Sequence, residues 1–270
     1  MIRKIIYVDN FLTGHGHTPT TGTTLVKLFR EEGYEVIPTS NKQNKAIRLA
    51  DMLSTIVKNR KNAVVLIATY STSAFYFACT CGFICRLFNI PYIPCLHGGN
   101  LPNRIVNSPR LAAIYFGKSY MNVAVSGYLK QSMVDNKWPC IEIPNNINLA
   151  NYPAIIRNVV RPSLLWVRSF HAIYNPTLAI RIVHSLARTV PDIKLTMVGP
   201  DKDGTLQIGK DLVKELGLED KISFTGLLSQ KDWIQLAASH DIFINTTNFD
   251  NLPRLPYLYL TNATQASNLM

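Results

Sequence analysis

The feature that most constrains this chain is a regular alternation of short β-branched runs with amphipathic windows of helical length. The runs predicted as strands in its first half are 2–8, 34–38, 63–68, 90–96, 121–125 and 140–143. The helices predicted between them cover about 20–32, 44–60, 105–116 and a segment that begins at Ser126. Such alternation is typical of βαβ units, so the sequence predicts an α/β fold with a parallel sheet.

A segment without period, residues 144–163, interrupts this alternation and contains three prolines and five asparagines. Beyond it, strands are predicted at 164–167, 193–198, 221–224 and 241–245. Three signals mark the helices between them: Asn175 as an N-cap before Pro176, Gly217 closing a helix at Leu216, and Ser229 paired with Asp232. With 270 residues, 47% of them hydrophobic, the chain is long enough to form two cores.

These boundaries predict a domain organisation of four parts. The parts are a Rossmann-like domain at 1–148, a connection at 149–162, a second α/β domain at 163–253, and an aberrant tail at 254–270.

The uncharged run at residues 64–85 is long enough to cross a bilayer. It divides, however, into a β-branched stretch at 64–67, a polar break at 70–73 and an aromatic-rich helical window. That division favours a buried strand, a turn and a buried helix over a membrane span.

The five cysteines are predicted to be free thiols, because the number is odd and the chain begins without a secretory signal pattern. We therefore expect a cytoplasmic protein. Cys79, Cys81 and Cys85 are closely spaced, but no second pair of ligands at zinc-site spacing lies near them. Packing of small residues in a helix explains them better than a metal site, and none is predicted.

The formal net charge of +11 is concentrated in the first half of the chain. Residues 1–150 hold 16 Lys and Arg against 7 Asp and Glu, whereas residues 151–270 hold 12 against 10. A basic surface attracts nucleic acid, an anionic membrane or an acidic substrate, and a merely solvated excess of charge is the simplest alternative. No basic helix with base-reading residues is recognisable, so nucleic acid is not an expected partner.

Three loops that follow predicted strands carry candidate binding residues. Gly14 and Gly16 lie in LTGHGHTPTTG, which can present backbone N–H groups to an anion or form only a tight turn. His97 ends the fourth strand before two glycines, at the strand edge where open α/β sheets bind ligands. Arg168 and His171 precede a helix N-terminus, so Arg168 is either a diphosphate clamp or a solvated side chain.

Together these segments resemble the retaining glycosyltransferases of family 4, whose GT-B fold has two Rossmann-like domains that face each other across a cleft. The resemblance covers residues 1 to about 253 and depends on the segments LHGGNLP, VSGYLKQSM, IEIPNNIN, WVRSFHAIYNP, KLTMVGPD, ISFTGLLSQKDW and SHDIFINTTNFDNLP.

The resemblance implies transfer of a sugar from a nucleotide diphosphate sugar with retention at the anomeric carbon and without a resident cofactor or metal. It implies catalytic roles for His97, Arg168 and Asp250. The positions it implies for donor and phosphate binding are Gly14, Gly16, Arg168, His171, Tyr174 and Gly199. The family usually has a lysine at the position of Tyr174, so a hydroxyl replaces one expected cation.

The sequence departs from the family after the last predicted strand. The second of two acidic residues expected eight positions apart falls on Leu258, and the segment from Arg254 onwards has no helical or strand pattern. This break predicts a truncation or frameshift near Arg254 and a second domain that is incomplete.

Several partners and alternatives follow from this interpretation. The expected acceptor is a saccharide or a lipid-linked saccharide, and the basic first half predicts peripheral contact with the anionic inner face of a membrane. One alternative is an inactive remnant that binds nucleotide weakly at most. Another is a sugar-nucleotide epimerase, which needs no acceptor.

Overall fold

The two series of βαβ units form two separate parallel sheets. The computed structural model describes residues 4–12, 21–145 and 157–248, and the chain divides into the units Met1–Asn146 and Ile147–Met270. The predicted connection therefore belongs, from residue 157 onwards, to the second unit.

The first unit contains a sheet of six parallel strands in the order β2-β1-β3-β4-β5-β6. Its strands are β1 (Lys4–Val8), β2 (Glu35–Thr39), β3 (Ala63–Thr69), β4 (Tyr92–Leu96), β5 (Asn122–Ala124) and β6 (Cys140–Glu142). Its helices are α1 (Thr21–Glu31), α2 (Lys45–Lys58), α3 (Ala74–Leu87), α4 (Leu101–Asn107), α5 (Pro109–Phe116) and α6 (Gly127–Asp135).

Both faces of this sheet are buried, as a parallel sheet requires. In β1, Ile6 and Val8 pack into a core with α2 and α3, whereas Ile5 and Tyr7 pack into a second core with α1. Strand β2 lies on one side of β1, and strands β3 to β6 lie on its other side. The sheet therefore has a topological switch point between β1 and β3.

The apolar run at 64–85 forms the predicted strand, turn and helix, as β3 and α3. Gly82 lets α3 pack closely on α5, because a Cβ at this position would lie 2.7 Å from the Tyr115 ring. Across the ranges that the structure describes, no helix combines the length and the apolar character needed to cross a membrane.

The helix predicted over 105–116 is wrong as a single element. Two helices, α4 and α5, meet at Ser108, the residue before Pro109. Proline cannot continue the hydrogen bonding of a helix, and it disfavours helical backbone in the residue before it. The break follows from that proline, which the sequence interpretation overlooked.

The second unit contains four parallel strands in the order β10-β7-β8-β9. Its elements are β7 (Ser163–Val167), α7 (Pro176–Leu186), β8 (Lys194–Val198), α8 (Thr205–Glu215), β9 (Ile222–Gly226), α9 (Gln230–Ala237) and β10 (Ile242–Phe243). Since β10 lies beside β7 and away from β9, the switch point of this sheet is between β7 and β10.

Two of the three helix signals in this unit are confirmed. Gly217 has φ of +63°, and the N–H groups of Gly217 and Leu218 bond back to Lys214 and Val213, which ends α8 in a Schellman motif. Ser229 accepts a bond from the N–H of Asp232 at the start of α9. Asn175 precedes α7, but its side chain makes no capping bond to the backbone.

Asn175 instead adopts the left-handed conformation, with φ of +48°, which asparagine tolerates better than most residues. It follows a 3-10 turn at Ala172–Tyr174 that the sequence interpretation missed. Asn175 therefore has the predicted position before α7, but the predicted capping hydrogen bond of its side chain is wrong.

Candidate functional site

In the first unit, three polar side chains meet at the carboxyl ends of β1, β3 and β4. Asp9 follows β1, Tyr70 follows β3 and His97 follows β4. The Tyr70 hydroxyl donates to Asp9 Oδ1 at 3.3 Å, and the Tyr70 and His97 rings lie 5.7 Å apart between centroids. The cluster borders the switch point between β1 and β3, the edge at which open α/β sheets bind ligands.

Asp9 is a buried carboxylate that the sequence interpretation did not select. Its residue is only 3% exposed, and the first turn of α1 lies against it because Gly22 has no side chain. A Cβ on Gly22 would lie 2.6 Å from Asp9 Oδ2. The positive end of a helix favours a carboxylate in this place. An acidic residue directly after the first strand was the signal that could have identified it.

Asp9 also affects the thiol of Cys95. Burial, and then the charge of Asp9, raise the pKa of Cys95 to about 12. Because only the thiolate is an effective nucleophile, Cys95 is an inert neighbour of the cluster.

Two glycines follow His97, and the first of them, Gly98, packs against protein backbone, since a Cβ on it would lie 2.6 Å from the Ser71 nitrogen. Arg104 of α4 also stabilises the loop after β3, because its Nε donates to the Ser71 carbonyl at 2.8 Å. The close approach at Gly98 thus joins the loops after β3 and β4 and holds His97 beside Tyr70.

In the second unit, Arg168 follows β7 at the switch point with β10. Its backbone N–H donates to the Val198 carbonyl at 3.0 Å. Its guanidinium carbon lies 5.5 Å from the centre of the Tyr174 ring, which is a cation–π contact. Tyr174, where the resemblance leads one to expect a lysine, therefore supports the cation at position 168.

Gly199 is required by the fit between the loops after β7 and β8. A Cβ at position 199 would lie 1.7 Å from the Arg168 carbonyl oxygen, a separation that no structure tolerates. Its φ of +152° also disfavours other residues. Because it has no side chain, Gly199 leaves room for the backbone carbonyl of Arg168.

His171 contributes mainly to the shape of its own loop. Its Nδ1 accepts from the Ile173 N–H at 3.1 Å and lies 3.9 Å from Asp203 Oδ2. Asp203 accepts the Ala172 N–H at 2.8 Å, and this bond is the main reason why its pKa lies below the usual range. The loops after β7 and β8 are therefore linked through the 3-10 turn.

The segment after β10 completes this edge and was also missed. Thr246 accepts from the Trp166 indole at 3.0 Å and donates to the Tyr174 carbonyl at 2.8 Å. The Asn248 N–H donates to the Ile173 carbonyl at 2.9 Å. The polar run Thr246–Asn248 directly after a strand was the available signal.

The structure therefore brings four of the predicted site residues together in the second unit, and a fifth lies in the first unit. Arg168, His171, Tyr174 and Gly199 lie at one edge of the second sheet, and His97 lies at one edge of the first. Gly14, Gly16 and Asp250 lie outside the described residues, as do Leu258 and the tail at 254–270. Within 4–12, 21–145 and 157–248, no group of three or more His, Cys, Asp or Glu is arranged to hold a metal ion.

Comparison with solved structures identifies the fold. HepE of Anabaena, crystallised with UDP and glucose, is 15% identical, with a TM-score of 0.67 over 96% of this chain and 78% of its own. Sucrose-phosphate synthase of Thermosynechococcus elongatus is 10% identical, with a TM-score of 0.73 over 96% of this chain and 79% of its own. A glycosyltransferase of Rickettsia africae is 19% identical, with a TM-score of 0.63 over 96% and 77%.

Neither protein-family models nor curated proteins match the chain. At these low identities the structural likeness establishes the fold alone. The chain has the GT-B fold that these solved structures share, with two Rossmann-like units, as the sequence predicted.

Proposed function

We propose that this chain is a glycosyltransferase of the family 4 type, which transfers a sugar from a nucleotide diphosphate sugar with retention of configuration. The observation that carries the proposal is the position of Arg168, which lies on the Tyr174 ring at the switch point of the second sheet. The GT-B fold and the resemblance of WVRSFHAIYNP to the family support the same assignment.

The chemistry of such a transfer fits a fixed cation at this edge. As the bond from the anomeric carbon to the diphosphate breaks, the diphosphate oxygen keeps the electron pair and becomes more negative. The Arg168 guanidinium offers a rigid set of N–H donors to these oxygens. The N-terminus of α7, which follows at Pro176, adds a positive dipole end. In this proposal the chain's own cation and dipole stabilise the leaving group.

The proposed acceptor is a saccharide or a lipid-linked saccharide that binds at the first unit. His97 and the Asp9–Tyr70 pair lie at the edge where open α/β sheets bind ligands, and their imidazole, carboxylate and hydroxyl groups can hydrogen-bond to sugar hydroxyls. His97 contacts the transferred sugar in this scheme, as the resemblance implies.

Calorimetric titration with UDP and GDP tests the donor site. We expect one nucleotide to bind, and Arg168→Ala to weaken it roughly tenfold to hundredfold, because a charge-assisted hydrogen bond is worth about 1.5–3 kcal/mol. Arg181→Ala, an exposed residue of α7, is the matched control and should bind as the wild type does. Failure of both nucleotides to bind, or equal binding by Arg168→Ala, would overturn the assignment of the donor site.

Turnover is measured separately, by release of the nucleotide from its sugar with and without acceptor. NMR of the product's anomeric proton then reports retention or inversion. Binding without turnover on any acceptor would favour the inactive remnant over the enzyme. A changed sugar released without an acceptor would favour the epimerase.

A further inference from the structure

A surface that the proposed reaction does not use lies at the other end of the first sheet. The loops that lead into β3, β4 and β5 lie side by side there, because these strands are neighbours and parallel. We define the basic-aromatic face as the side chains that these loops and the end of α3 present, namely Arg60, Phe83, Arg86, Leu87, Phe88, Lys118 and Tyr120.

Apolar side chains on this face are unusually exposed. Tyr120 is 73% exposed, Leu87 62% and Phe83 58%. They line one groove with Arg86 and Lys118, with a cavity volume of about 630 Å³. Single exposed apolar residues are ordinary, but a contiguous group of them marks an interaction site.

The charged side chains of the basic-aromatic face are all positive. Arg86 and Lys118 line the groove, and the Arg60 guanidinium lies 5.3 Å from the centre of the Phe88 ring. The segments that form the face, 58–62, 83–92 and 117–121, contain no Asp or Glu. A partner that fits is anionic and accepts apolar side chains at the same time.

We propose that the basic-aromatic face docks the chain on the surface of an anionic lipid bilayer. Lysine and arginine next to an anionic leaflet gain free energy from its surface potential, and their stems lie along apolar surface while the charges stay at headgroup level. Tyrosine is favoured at that same depth, and phenylalanine and leucine side chains enter the boundary between headgroups and acyl chains. Leu87 cannot stack on a base or bond to a phosphate, so the mixture fits a lipid interface better than a nucleic acid.

This docking leaves the candidate acceptor edge uncovered. Tyr92, which lines the groove, begins β4, whereas His97 follows its last residue. The face and the His97 cluster are therefore at opposite ends of the same strand. Docking does not depend on sugar transfer, so a chain that fails as an enzyme can still bind vesicles.

Co-sedimentation of the full chain with vesicles tests the proposal. We expect binding to vesicles of phosphatidylcholine with phosphatidylglycerol, and much weaker binding to phosphatidylcholine alone. Arg86→Gln with Lys118→Gln should lower the partition coefficient about thirtyfold, because each basic residue contributes roughly 1 kcal/mol at such a surface. Phe83→Asn with Leu87→Asn should lower it at least tenfold, since apolar area is no longer buried.

Matched controls come from the second unit. Lys210→Gln with Lys214→Gln removes two exposed cations there, and Leu227→Asn removes an apolar side chain that is 72% exposed. Both should bind vesicles as the wild type does. Thermal melts followed by circular dichroism check that each variant folds. We expect all of them to fold, because every substituted side chain is exposed.

Three outcomes would overturn the proposal. Equal binding to neutral and anionic vesicles would exclude an electrostatic contribution. Controls that bind as weakly as the variants of the face would show that total charge matters and the face does not. The third outcome is that the chain does not bind vesicles but binds polyuridylate tightly. If Arg86→Gln with Lys118→Gln weakens that binding, the face belongs to nucleic acid.

Discussion

Two neighbours determine where Arg168 can act. Tyr174 holds the guanidinium through its ring, and Gly199 leaves room for the backbone carbonyl of Arg168. Neither residue needs to contact a ligand to affect binding. At the scale of single residues, the candidate donor site therefore depends on an aromatic ring and on a missing side chain.

Gly199→Ala should damage this site without removing any charge. The added Cβ would lie 1.7 Å from the Arg168 carbonyl oxygen, so the loop after β7 must move. We expect stability to fall by roughly 2–4 kcal/mol and nucleotide affinity to fall about tenfold. Urea denaturation and calorimetric titration measure the two effects.

Gly209→Ala is the matched control for that substitution. Position 209 lies inside α8, where a Cβ would meet Ile180 at an ordinary 3.4 Å. Alanine favours a helix more than glycine does, so stability should stay equal or rise by up to about 1 kcal/mol. Loss of affinity in both variants would contradict the role assigned to Gly199.

Tyr70→Phe tests the second residue cluster. The substitution keeps the ring beside His97 and removes the bond to the buried Asp9 carboxylate. We expect a loss of roughly 1–2 kcal/mol in the free energy of unfolding, and a lower rate of sugar transfer with little change in the KM for the nucleotide sugar. A double-mutant cycle with Asp9→Asn should show coupling of about 1 kcal/mol, and strictly additive losses would show that the bond contributes nothing.

At the scale of elements, an ion cluster supports the short strand β10. Within the residues that the structure describes, β10 is short and pairs in register with β7 at two positions, Ile242 with Leu164 and Phe243 with Leu165. Directly before β10, Asp241 is almost fully buried and accepts Arg157 Nε at 2.5 Å and Arg161 Nε at 2.9 Å. Both arginines precede β7. The cluster thus closes the sheet at the start of both strands, opposite the edge that carries Arg168.

Asp241→Asn should destabilise the second unit, because it leaves Arg157 largely buried beside a neutral partner. We expect a loss of roughly 2–3 kcal/mol at neutral pH, measured by urea denaturation with tryptophan fluorescence. Asp220→Asn, a largely exposed carboxylate in the same unit, is the control and should change stability by less than about 0.5 kcal/mol. An equal effect of the two substitutions would contradict the importance of the cluster.

The same carboxylate predicts a dependence on acid. Hydrogen bonds from Arg161 and then Arg157 hold the pKa of Asp241 well below its usual range. Its contribution to stability is complete above the unfolded-state pKa, about 3.9, and is lost as the pH falls towards the lowered value. The difference in stability between wild type and Asp241→Asn should therefore shrink only below about pH 4. A difference that shrinks already near pH 6 would indicate another group.

At the scale of the whole molecule, the two units offer different chemistry at their switch points. The first sheet presents a carboxylate, a hydroxyl and an imidazole, and the second presents a guanidinium in the loop that leads to the N-terminus of α7. A nucleoside diphosphate carries negative charge, so the second unit is the one that should bind it.

Hydrogen exchange measured by mass spectrometry can locate that binding. With UDP or GDP, whichever binds in calorimetry, we expect greater amide protection in peptides that contain 168–175 and 244–248. Peptides from β1 to β6 should change little, and Arg168→Ala should abolish the effect. Protection centred on Asp9, Tyr70 and His97 would place the nucleotide on the first unit instead.

How much the sequence predicted depended on whether the signal was local. Strands, helices and caps arise from residues a few positions apart, so their order, the Schellman motif at Gly217 and the Ser229 cap could be predicted. The break at Pro109 was equally local and could have been predicted too. Arg168, His171 and His97 were selected as candidates because each lies at or shortly after the end of a strand, and strand ends are where such sheets bind ligands.

By itself, then, the sequence determined two parallel α/β units and the residues that follow their strands, because hydrophobic periodicity and turn residues act within one element. Only the tertiary structure decided what those residues touch. Tyr70 and Asp9 are 61 positions apart, Arg157 and Asp241 are 84, and Trp166 and Thr246 are 80. Such contacts depend on strand order, which brings distant segments to one edge of a sheet and which no local pattern specifies.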